Sequence, residues 1–181
     1  MDPRTFLRPA ALAVSPLPRP GDPARELPFA LEPGRPAIVA FLRHTGCPFA
    51  ERTMQMLREA AASSPGTQWI AVSHAPEPET GRWCLAIGGG GDVRILCDPS
   101  RRTYAAWGLG RSSLGHFMGA RSLAAVISLA REGIRNRHPA GTRWQSAGTF
   151  AVDGEGVVRW VAIPEHAGEL PDLDAALRSL E

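Results

Sequence analysis

Lysine is absent from this 181-residue chain: all 20 basic residues are arginine. Schiff-base, pyridoxal-linked and lysine-nucleophile chemistry are therefore excluded outright. A GC-rich genome accounts for the bias. Cysteine is scarce and odd in number: Cys47, Cys84 and Cys97 are scattered, which rules out a disulfide framework and makes a reducing cytoplasm the expected compartment. No apolar run reaches the roughly 18 residues of a membrane span. The short patch at residues 10–14 is broken too early by Pro and Arg for a secretory leader. Charge of one sign is also lacking. The net value is only +2, and the densest basic stretch, "REGIRNRHPAGTR" (131–143), reads as a solvated helix end rather than a nucleic-acid footprint. Gly88 to Gly91 lack the Lys-Ser/Thr ending or Rossmann spacing of a phosphate cradle. No Cys, His, Asp and Glu spacing suggests a metal site, and no cofactor is implied.

What is present is ordinary globular composition, 44% apolar and 21% charged, on a length that suits one domain. Residues 1–34 are proline-rich and aperiodic. They read as an arm over a domain at 35–181, with "LPFAL" adding an edge strand. "AIVAFL" is a continuous apolar run, expected of a strand buried on both faces. Ala50, Met54, Leu57 and Ala61 then recur at helical spacing. "TQWIAVS" is a second strand, "EPETGRWCLAIGG" a short helix, and "VRILCD" a third strand. Asp98 is expected to cap the next helix, with Pro99 at its first position. A longer helix is predicted over about 114–136, with Leu123, Val126, Ile127 and Ala130 on the face that packs into the core. "GTFAVDGEGVVRWVA" reads as a hairpin and "PDLDAALRSL" as a closing helix. The alternation predicts an α/β fold: a mixed sheet with flanking helices and a helical insertion before the C-terminal hairpin.

Three segments carry a resemblance. "FLRHTGCPF", "ILCDPSRRTYAAWGLG" and "SAGTFAVDGEGVVRWVAIPEHAGELPDLDAAL" follow one another as the corresponding pieces do in the peroxiredoxin-like AhpC/TSA antioxidant-enzyme family, of the thioredoxin-like superfamily. The resemblance implies a thioredoxin-like fold and thiol-dependent redox chemistry, with Cys47 in the reactive position. It also implies a small hydroperoxide substrate, an external thiol or thioredoxin/glutathione-type reductant, no nucleic acid or membrane partner, and a homodimer as one assembly by analogy. The chain departs from the family pattern at four positions. Ala50 replaces the second cysteine, Ala147 replaces an arginine just before the hairpin's first glycine, and His44 and Ala40 replace Thr/Ser and Pro.

A cysteine at a helix N-terminus faces unpaired N–H groups and the positive end of the helix dipole, which favour a thiolate. Arg43 and His44 are the candidate supporting residues; in an extended strand they point to opposite faces, and His44 is nearer the turn. With Ala50 in place of a second thiol, an oxidised Cys47 must be resolved by an external thiol, or by Cys84 or Cys97. Phe49, Arg143, Trp144 and Gln145 are candidate substrate-pocket residues. Two other readings remain at this level. One is a degenerate thioredoxin-fold binding protein without peroxidase activity; the other is a monothiol glutaredoxin-like exchange enzyme, which the absence of a proline at position 147 disfavours.

Overall fold

A computed structural model describes residues 7–113, 116 and 120–181. Among these residues the chain forms a five-stranded mixed sheet in the order β3-β2-β1-β4-β5. Strand β1 (Ala37–Phe41) is central and wholly buried. It pairs in parallel with β2 (Gln68–Ser73), which pairs in parallel with β3 (Arg94–Cys97). On its other side β1 meets β4 (Gly148–Val152) antiparallel, and β5 (Val158–Ala162) closes the hairpin.

The unbroken apolar run of β1 serves two cores because side chains alternate across a sheet. Ile38, Ala40 and Leu42 join α1 (Pro48–Ser63), α2 (Glu77–Ala86) and the last helix, α5 (Leu173–Arg178), on one face. Ala37, Val39 and Phe41 join Tyr104 and Trp107 on the other, where the short helix α3 (Arg102–Ala106) packs. Phe41 meets Tyr104 edge-on at 5.0 Å between ring centroids, and Trp107 meets Phe150 at 4.8 Å. Such aromatic pairs contribute beyond their buried area.

Three expectations need correction. "LPFAL" forms no strand; its Leu27, Phe29 and Leu31 pack instead as loop side chains against the second core. The arm's pairing occurs earlier, where Pro23 bridges Val157, Gly21 N–H donates to Val158 O, and Val158 N–H donates to Asp22 O. Pro99 does not open α3, which begins four residues after Asp98. Its N-cap residue is Arg101, at φ 60 and without a side-chain cap bond, while Asp98 Oδ2, three residues further back, accepts from Thr103 N–H at 2.8 Å. The long helix is observed as α4 (Ala120–Arg131); residues 114, 115 and 117–119 of the expected span lie outside the described residues. Its face is also turned. Leu123 and Ile127 are 63% and 48% exposed and Ala130 is exposed, while Leu129 is buried and Ala125 and Val126 pack on the core. Gly133, at φ +88, ends it as an αL cap, with Ile134 N–H donating back to Leu129 O.

Candidate active site

Strand β1 delivers the chain to Thr45, Gly46 and Cys47, and α1 starts at Pro48. Proline is preorganised for a first helical position, where its missing N–H needed no partner. Cys47 is the N-cap residue, 4% exposed, with no side-chain cap bond; its own N–H donates to His44 O at 3.2 Å. The first-turn N–H groups and the helix dipole therefore face the sulfur end of the helix.

A returning segment clamps this turn. Arg137 N–H donates to Gly46 O at 2.9 Å, and Thr45 pairs with Ala140. Gly46 has φ +82, and a Cβ there would lie 2.6 Å from His138 O. Only glycine accommodates both the conformation and the approach. The Arg137 guanidinium also grips Glu51, with Nε at 2.8 Å and Nη2 at 3.0 Å from its two carboxylate oxygens. Glu51 is buried one turn after Cys47, and the fork-shaped pair balances a negative charge that would otherwise oppose a thiolate. The attachment of Glu51 to Arg137 was not anticipated from sequence. Its only traces are an acid in the first helical turn and an arginine inside the basic stretch.

His44 and Arg43 are both buried. Burial pushes the His44 imidazole down to about 3, with the Arg43 and Arg143 charges acting in the same direction against a hydrogen bond to Thr45 O. His44 is thus a neutral ring at physiological pH. It fixes the loop and offers Cys47 no positive charge. Arg143 is different. Burial lowers its guanidinium from the ordinary range, a Cys47 thiolate opposes that shift, and Arg43 adds to it. Arg143 therefore lies within the range over which a negative charge on Cys47 would be felt. A second imidazole, His74, contacts Thr142 O at 3.0 Å and is pushed down to about 4, chiefly by burial.

The candidate pocket residues separate. Phe49 lines a cavity of about 240 Å³ together with Arg43, Ala50 and Ala147, between α1, the β4–β5 hairpin and the loop after β5. Trp144 lies elsewhere, with the Arg8 guanidinium 4.5 Å from its ring centroid. Gln145 is 2% exposed, and its Nε2 donates to Leu109 O and Gly110 O. Its amide is occupied in holding that loop. Cys84 Sγ lies near Gly90 and the Arg58 guanidinium. Arg58 is eleven residues along α1 from Cys47, about 16 Å of helix, and burial pushes the Cys84 thiol up. Cys97 ends β3 in register with Ser73, two strands and about 10 Å sideways from β1. All three cysteines are free. No helix among the described residues is long and apolar enough to cross a membrane.

A family model described as AhpC/TSA antioxidant enzyme matches residues 53–166. The chain belongs to the AhpC/TSA family. The matched stretch of this AhpC/TSA protein begins six residues beyond Cys47, so membership rests on the body of the fold rather than on the cysteine turn. No curated protein sequence gave a match. Among solved structures, a peroxiredoxin-like protein from Aquifex aeolicus superposes with a TM-score of 0.64 at 17% identity, covering 92% of this chain and 88% of that one. A thiol peroxidase from Chromobacterium violaceum gives 0.59 at 15% identity, covering 93% and 89%. A peroxidoxin from Mycobacterium tuberculosis gives 0.51 at 16% identity, covering 80% and 77%. At these identities the likeness establishes a peroxiredoxin-like fold.

Proposed function

We propose that this AhpC/TSA protein is a thiol peroxidase that reduces a hydroperoxide through Cys47 alone. The observation that carries the reading is the position of Cys47 at the N-terminus of α1 with Arg143 within electrostatic reach. The Cys47 thiolate attacks one peroxide oxygen; an S–O bond forms, the O–O bond breaks, and the leaving oxygen takes a proton to depart as alcohol or water. Sulfur is oxidised to a sulfenic acid and the peroxide is reduced. An external thiol condenses with the sulfenic acid, releasing water, and a second thiol frees Cys47 as an external disulfide forms. The positions of Cys84 beside Arg58 and of Cys97 two strands away favour an external thiol over either as resolving partner. Arg143 supplies the cation that Ala147 cannot, from four residues upstream.

The test is one equivalent of hydrogen peroxide added to reduced protein, with intact mass followed over time. Rapid gain of one oxygen that disappears in Cys47→Ser supports the reading. Retained single-turnover peroxide reduction in Cys47→Ser sinks it, as does a wild-type rate no faster than a free cysteine. Arg143→Gln is expected to slow the wild-type oxidation on the order of a hundredfold, as removal of one transition-state charge contact does. Stopped-flow rates with an unchanged circular dichroism spectrum would check it.

A further inference from the structure

Two buried side chains around the cysteine turn keep polar atoms without a hydrogen-bond partner among the described residues: Arg43 at Nε and Nη1, and His74 at Nδ1. His74 is the one whose remaining contacts lead to the reacting groups. It follows β2 directly and is buried. Its ring meets Tyr104 edge-on at 5.4 Å between centroids, and Tyr104 Oη donates to Leu42 O and Val72 O at 2.8 and 2.6 Å. The ring's single polar anchor among the described residues is Thr142: Nε2 lies 3.0 Å from Thr142 O and 3.2 Å from Thr142 N. Either neutral tautomer therefore holds the same residue, one by donating to the carbonyl and the other by accepting from the N–H. Gly141, at φ +82, lies against the ring, where a Cβ would come within 2.7 Å of Cδ2 and 2.8 Å of Nε2. Trp144 N–H donates to Thr142 Oγ1 at 3.3 Å. The two residues flanking Arg143 are thus tied to each other, and through Thr142 to His74.

We propose that His74 is a positioning residue: it fixes the Gly141–Thr142 turn and so sets where the Arg143 guanidinium stands relative to Cys47. The reaction it serves is the one proposed above, and the proposal rests on that reading. The two partners differ in what holds them. Strand β2 pairs on both sides and is buried over five of its six residues, so a ring at its end is a rigid mount. Residues 132–147 form only isolated bridges, and a loop of that kind takes its shape from tertiary anchors. Burial keeps the ring neutral down to about pH 4, so the hold is constant across the range in which a thiolate reacts. Misplacing a charge contact by about 1 Å can cost on the order of a hundredfold in rate, which is why an anchor one residue from Arg143 matters to the chemistry.

The test is a double-mutant cycle on single-turnover oxidation of Cys47 by hydrogen peroxide in the reduced full-length protein. His74→Phe keeps a ring against Tyr104 but loses the bond to Thr142, and is expected to slow oxidation at least about tenfold. His74→Gln still offers Thr142 a donor and an acceptor and should stay within about threefold of wild type. In the Arg143→Gln background His74→Phe should cost little more, because a residue acting through Arg143 then has nothing to position. A full rate in His74→Phe, a His74→Gln rate as slow as that of His74→Phe, or the same loss repeated without Arg143 would overturn the proposal. Should His74→Phe fail to fold, Gly141→Ala decides. It is expected to slow oxidation, whereas Gly133→Ala, at a similar φ of +88 but with nothing within 4 Å of its Cβ, should not; equal rates in the two overturn the proposal. A wild-type Cys47 no faster than a free cysteine removes the peroxidase reading, and the same cycle is then read on the rate of iodoacetamide alkylation at neutral pH. Fast wild-type oxidation with no loss in these variants removes only the role of His74.

Discussion

Acidification is expected to destabilise this protein steeply, beginning well above the carboxylate range. His44 and His74 are held neutral in the fold, pushed from 6.5 to about 3 and about 4 respectively, chiefly by burial. In the unfolded chain each takes up a proton as pH falls through its ordinary value. Below about pH 6.5 the unfolded state therefore binds two more protons than the native one, and stability falls with pH. Each histidine contributes about 1.4 kcal/mol per pH unit until its folded value is reached. Together they remove about 3 kcal/mol between pH 6.5 and 5, a large part of the roughly 5–15 kcal/mol of a typical domain. His116, lowered mainly by partial burial, acts in the same direction. Urea titrations at pH 7.5 and pH 5 measure the difference. A midpoint that does not move would mean that the two rings are not enclosed as described. Above pH 6.5 the same rings contribute no pH dependence, so a change in Cys47 reactivity between pH 6.5 and 9 must originate elsewhere than His44.

Gly46→Ala should cost about 3 kcal/mol. The left-handed conformation alone, φ +82, costs an L-residue about 1–2 kcal/mol. The added methyl would then lie 2.6 Å from His138 O and 2.9 Å from Arg137 O. Both are backbone atoms, and they belong to a segment fixed by the Arg137–Gly46 hydrogen bond and the Arg137–Glu51 pair. That segment must move or the turn must open, and forced overpacking of this kind costs about 1–3 kcal/mol. Gly66→Ala is the matched control, since a Cβ there meets nothing within 4 Å. Equal denaturation midpoints for the two variants would contradict the clamp. Because the disturbed turn carries Cys47, alkylation of that thiol should also change in Gly46→Ala and stay unchanged in Gly66→Ala.

The sheet was legible because its signals are local. "AIVAFL" between Pro36 and polar residues fits a strand covered on both faces, and the two cores alternate along it. The hairpin was equally plain: Asp153, whose Oδ1 accepts from Glu155 and Val157 N–H, directs the turn through its own side chain. The face of α4 was misjudged because apolar spacing gives a helix its stripe but not the direction in which the fold turns it. Ser122 and Leu129 are buried there while Leu123 and Ile127 look outward. The surroundings of Cys47 were the least legible. Arg137 and His74 come from 90 and 27 residues away in the chain, and no periodicity encodes which of many distant residues the fold brings back. Arg43 was visible as a neighbour of the cysteine. That it is buried without a partner was not, since pairing is a property of the finished fold.

The arm also has a colloidal consequence. Strand β5 is the last in the sheet, and its beginning is already hydrogen-bonded by residues 21–24 of the arm, with Pro23 opposite Val157. A proline laid along an outer strand presents no N–H for a further strand to accept. Residues 21–24 are thus expected to hinder edge-to-edge pairing at that end of β5. A version trimmed to residues 35–181 is expected to uncover part of that ladder and to self-associate more readily.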